Sequence, residues 1–99
     1  MATYWITFRL GEVGDYNTRY DNLIEAINSS ASLVWEEPTS FLLIESTATI
    51  DELAQLLSAQ MDTVHDLVLI GNPNVKQARV IGIVEDENLF RLLPFTKYA

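Results

Sequence analysis

At 99 residues, with 48% apolar and 20% charged side chains, the chain has room for one small core and the composition of a folded protein. Fourteen acids against six scattered bases give a net charge of −8, which disfavours an unaided nucleic-acid surface, and the lack of cysteine removes disulfides and thiolate metal sites. There is no basic-then-apolar leader pattern, and the longest apolar runs, Phe41 to Ile44 and Leu67 to Ile70, fall far short of a membrane span, so a cytoplasmic protein is expected.

Thr3 to Leu10 alternates as a strand, with Tyr4, Ile6, Phe8 and Leu10 on one face and Thr3, Trp5, Thr7 and Arg9 on the other. Gly11 to Asp15 is a turn, and from Tyr16 or Asn17 the period changes to 3.6, with Tyr20, Leu23, Ile24 and Ile27 as one stripe. That helix ends in Asn28-Ser29-Ser30. Leu33 to Trp35 and Ser40 to Glu45 are two strands of a hairpin whose turn, Glu36 to Thr39, is marked by Pro38.

Thr49-Ile50-Asp51-Glu52 spells a capping box, because the threonine hydroxyl and the glutamate carboxylate can each accept from the other residue's backbone N–H. A second helix follows, with Leu53, Leu56, Leu57 and Met61 on one side. Asp66 to Ile70 is a fourth strand, Gly71 to Asn74 a turn, and Arg79 to Val84 a fifth strand. Asn88 to Leu93 is a short helical turn before Pro94 and a tail that frays.

The order β-α-β-β-α-β plus one extra strand predicts an α+β protein of the ferredoxin-like split type, with both helices on one face of an antiparallel sheet. The chain is one domain, residues 1–99, with its core in 1–84 and a tail over 85–99. Phe41 to Ile44 and Leu67 to Ile70 are apolar on both faces, whereas a sheet wetted on one side should alternate. Both helices belong to one face, so the other needs its own cover. A second copy of the chain is the simplest one, which predicts a homodimer.

The segments "TYWITFRL", "YNTRYDNLIEAI", "LVWEEPTSFLLI", "TIDELAQLLSAQMD" and "DLVLI" resemble the SinR-like family of small bacterial proteins over about Thr3 to Gly82. That family is related to the small CRISPR-associated dimeric nuclease and integration-scaffold proteins, and more distantly to VapD-type toxins. The resemblance implies a ferredoxin-like protomer, a homodimer formed across the open sheet face and a fifth strand that pairs with the partner. Relatives proposed to be nucleases hold a metal-binding aspartate near the end of the first strand, and the matching position here is Arg9. A guanidinium carries donors only and repels a cation, so metal-assisted cleavage by that route is not expected.

No catalytic, cofactor-binding or metal-binding set emerges, and a non-catalytic scaffold or interaction module is the expectation. Trp5, Thr7 and Arg9 are expected to face a second subunit, Arg9 meeting an acid such as Glu36, Glu37 or Glu45; its alternative is an anion site. Gly11-Glu12-Val13-Gly14-Asp15 joins a strand to a helix as a phosphate cradle would, but it lacks the P-loop lysine and its acids repel phosphate. His65, the single histidine, has no nucleophile beside it in sequence. Glu36-Glu37 and Glu85-Asp86-Glu87 read as solvated turns. Trp5, Trp35 and Phe41 could stack on bases, yet have no basic rim. The rival class is a metal-dependent endoribonuclease or toxin-like nuclease using Asp15, Asp21 or the acids at 85–87. A third is an acidic antagonist of a basic protein partner.

Overall fold

The computed structural model describes residues 1–99. The elements are β1 (Ala2–Arg9), α1 (Tyr16–Ser30), β2 (Leu33–Trp35), β3 (Phe41–Ser46), α2 (Ile50–Ser58), β4 (Leu67–Asn72), β5 (Gln77–Ile81), α3 (Asn88–Leu92) and β6 (Thr96–Tyr98). They form an α+β protein with one six-stranded mixed sheet in the order β2-β3-β1-β4-β5-β6. β1 is interior, antiparallel to β3 on one side (Thr7 opposite Phe41) and to β4 on the other (Trp5 opposite Gly71). α1 carries the chain from β1 past β3 to β2, and α2 carries it from β3 past β1 to β4.

The core lies between the sheet and the two long helices. Tyr4, Ile6 and Phe8 of β1, Leu42 and Ile44 of β3, and Val68 and Ile70 of β4 supply the sheet side. Leu23, Ala26 and Ile27 of α1 and Ile50, Leu53, Ala54 and Leu57 of α2 supply the helix side. The capping box at the start of α2 is formed as its sequence predicts: the Thr49 hydroxyl accepts from the Glu52 amide at 3.1 Å, and the Glu52 carboxylate accepts from the Thr49 amide at 2.9 Å. Those bonds hold the Glu52 carboxyl below its usual range.

The structure moves several expectations. α2 buries Ala54 where Leu56 was expected, and Leu56 is exposed, because the inward stripe runs Ile50-Leu53-Ala54-Leu57 at the i, i+3, i+4, i+7 spacing. α1 turns Tyr20 outward and buries Ala26 and, unexpectedly, Arg19. β5 covers Gln77–Ile81 where Arg79 to Val84 was expected. Two strands, not one, extend the expected β-α-β-β-α-β pattern: Thr96–Tyr98 is ordered alongside β5 as a parallel strand, Ala78 opposite Thr96, so the tail does not fray as expected.

Candidate interaction surface

The second face of the sheet is read from the cross-strand register. Side chains directly opposite one another share a face, so Trp35, Leu43, Trp5, Gly71 and Ala78 form one row across five strands. Phe41, Thr7, Leu69 and Val80 form the next, and Arg9 with Leu67 stands beyond it. The sequence-predicted trio Trp5, Thr7 and Arg9 is thus brought onto one face, Trp5 and Thr7 half-buried and Arg9 exposed. The Trp5 indole lies against Gly71, where a Cβ would sit 2.0 Å from a ring carbon; only a residue without a side chain fits beneath it.

The two halves of this face differ. Over β4 and β5 the chain covers itself: residues 83–92 cross back above the sheet, Ala78 and Val80 are buried, and a groove of about 530 Å³ remains between Leu67, Leu69, Ile83 and Leu89, with Arg9, Glu85 and Asp86 among its lining residues. The crossing starts at Gly82, whose φ of +109° and close approach to the Asp66 carbonyl (a Cβ would lie 2.2 Å away) admit only glycine. Over β2, β3 and the near side of β1 nothing crosses. Leu33 is 68% exposed and Trp35 44%, with Phe41 and Leu43 half-buried beside them.

The polar groups on this face are few. Thr7 donates its hydroxyl to the Ser40 carbonyl at 3.0 Å. The Trp35 indole N–H donates to the Glu37 carboxylate at 3.4 Å, which holds that acid on the same side as the tryptophan. Arg9 makes no ion pair within the chain, so the acids Glu36, Glu37 and Glu45 do not engage it there.

A second polar cluster lies at the other end of the loop that follows β1, and sequence reasoning missed it. The Arg19 guanidinium, buried at the start of α1, donates to the Asp66 carboxylate, to Asp15 at 2.9 Å, and to the carbonyls of Gly11 (3.0 Å) and Val13 (2.6 Å). Asp66, fully buried, also accepts from the amides of Gly11 at 2.9 Å and Asp62 at 2.8 Å. Its two carboxylate partners hold the Arg19 guanidinium more firmly protonated than usual. The Gly11–Asp15 loop therefore turns two carbonyls toward a cation of its own chain, the reverse of the amide cradle that binds phosphate. The available signals are Asp15 and Arg19 at i, i+4 and a lone acid, Asp66, at the head of an apolar run.

The remaining candidates separate. His65 Nδ1 meets the Asp62 carboxylate at 2.9 Å on the surface, a contact that lowers the Asp62 carboxyl. Asp86 caps the Asn88 amide at 3.0 Å. Asp15 is committed to Arg19, and Asp21 is exposed on α1. No three His, Asp or Glu side chains converge, and no helix is long and apolar enough to cross a membrane.

Comparisons with protein-family models, with curated proteins and with solved structures give no match.

Proposed function

We propose that the protein is a non-catalytic interaction module of the cytoplasm that works as a homodimer, with a ferredoxin-like core extended by β5 and β6. The observation that carries this reading is the uncovered row Trp35-Leu43-Trp5, with Phe41 and Leu33 beside it. Contiguous uncovered aromatic and aliphatic side chains, with Glu45 of β3 between Leu33 and Thr3 and Arg9 at the other end of the face, are the composition of a protein–protein contact. The four strands β2-β3-β1-β4 with their two helical crossovers support the ferredoxin-like part. The resemblance to the SinR-like family belongs to the same reading, with Trp5 and Thr7 near the centre of the contact and Arg9 at its edge.

Light scattering after gel filtration tests it. Wild type is expected at twice the 11.2 kDa chain mass, and Trp35→Glu at the chain mass with an unchanged circular-dichroism spectrum. A wild type that stays monomeric at about 100 µM, well above working dissociation constants for such modules, overturns the reading.

A further inference from the structure

We infer that the groove beneath residues 83–92 binds a small zwitterion with an apolar body, a free amino acid with a large apolar side chain, its carboxylate on Arg9 and its ammonium on Glu85. The site lies on the covered half of the face and is built by one chain, so it stands independently of the homodimer reading above.

The groove exists because the returning segment crosses the sheet without filling the space beneath it. Leu67 and Leu69 of β4 and Val80 of β5 supply the sheet side, and Ile83, Leu89 and Leu92 supply the other. No residue of α3 is buried, and Ile83 is 56% exposed, so the segment roofs the sheet with apolar side chains that remain partly uncovered. The space left, about 530 Å³, falls within the range of small-molecule sites, which are mostly apolar with a few placed polar groups.

Three charged side chains line that space, and they select the ligand. Arg9 and Glu85 share the groove, yet neither makes an ion pair, with the other or with any residue of the chain. Asp86 is turned to the protein, where its Oδ1 accepts from the Asn88 amide at 3.0 Å. The Thr7 hydroxyl is likewise committed, to the Ser40 carbonyl. One unpaired cation and one unpaired anion thus border an apolar floor. A plain carboxylate or phosphate meets Arg9 but also Glu85 and Asp86, two acids against one base, on a chain of net charge −8. A plain amine meets Glu85 but also a guanidinium that is always charged. A zwitterion brings a partner to each. The guanidinium fork donates to the ligand carboxylate bidentately, and the ligand ammonium donates to Glu85. The apolar side chain then removes Leu67, Leu69 and Ile83 from water.

Removing one charge at a time, from ligand and from protein, tests the assignment. Isothermal titration with L-phenylalanine and with L-leucine is expected to give dissociation constants of about 1 mM or below, as suits ligands of so few atoms. Hydrocinnamate, which lacks the ammonium, and phenethylamine, which lacks the carboxylate, are each expected to bind at least about tenfold more weakly than L-phenylalanine. Amide shifts on adding L-phenylalanine are expected at Leu67, Leu69, Ile83 and Leu89. Arg9→Gln is expected to bind L-phenylalanine no better than phenethylamine, and Glu85→Gln no better than hydrocinnamate. Both side chains are exposed, so each variant keeps the wild-type circular-dichroism spectrum. The site is overturned by no binding of either amino acid at about 10 mM, by single-charge analogues that match L-phenylalanine, or by shifts confined to another part of the chain. Variants that weaken all three aromatic ligands equally overturn the assignment of Arg9 and Glu85 to the two charges.

Discussion

Arg19 and Arg9 flank the same loop and share a guanidinium, yet their surroundings are opposite. Around Arg19 the chain has closed on itself: two carboxylates and two carbonyls accept its N–H groups, and the buried Asp66 ties the loop after β1 to the residues before β4. Around Arg9 no acceptor is held, and the apolar row next to it is open on one side. A cation whose three nitrogens all donate within the chain is architecture, and removing a partner leaves a desolvated charge. A cation on an apolar face with no acceptor of its own has its binding free energy still available to another molecule.

Four tests, built on five substitutions, bear on that contrast. Asp66→Ala leaves the Arg19 guanidinium buried beside an empty place and frees two amides. It is expected to destabilise the fold by about 3–5 kcal/mol in denaturant titration. A loss below about 1 kcal/mol would place the region around Arg19 with the surface. Leu53→Ala opens a cavity in the helix-packed core and is expected to remove about 2–5 kcal/mol, while Leu56→Ala, three positions further along the helix and exposed, changes stability by about 0.5 kcal/mol or less. Equal losses would mean that α2 is rotated from the orientation described.

The third case lies between the extremes. Arg79 on β5 donates to Asp51 at the start of α2 at 2.6 Å, which lowers the Asp51 carboxyl below its usual range. A carboxyl depressed in the folded state stabilises the protein above its unfolded pKa, about 3.9, and that contribution disappears as pH falls through the lower folded value. Arg79→Gln is therefore expected to flatten the fall of Tm with acid below about pH 4. Asp51 is largely exposed, so the change is small. An acid limb identical to that of wild type would remove the pair from the stability account. Smallest of all, Arg9→Gln is expected to leave monomer stability within about 0.5 kcal/mol, measured in a Trp35→Glu background that keeps the chain apart. A larger loss would mean that Arg9 has an internal partner after all.

How much of this could be read from the residues depends on the range of the signal. The alternation of Thr3 to Leu10 assigns Trp5, Thr7 and Arg9 to one face, since period-2 patterning is local and unambiguous. Thr49 and Glu52 announce the start of α2 for the same reason. The stripe on α2 was less legible: Leu56 and Leu57 are adjacent and equally apolar, and which one turns inward depends on the sheet beneath. The Arg19–Asp66 contact spans 47 positions and leaves no periodic trace. β6 is three residues long and pairs in parallel with β5, which the sequence cannot place beside it. The missing cover on the second face is legible as a problem, in the two-faced apolar runs, but the return of residues 83–92 across half of it is not.

The interior position of β1 also has a kinetic side. Ala2–Arg9 precedes both of its sheet partners, Phe41–Ser46 and Leu67–Asn72, and cannot be paired on both edges until the second of them is available. Every contact that seats this strand closes a long loop, which places the protein among slower-folding small domains. In the interval the stretch from Tyr4 to Phe8, alternating and rich in aromatic side chains, has two free edges and is the segment most exposed to pairing with a wrong chain.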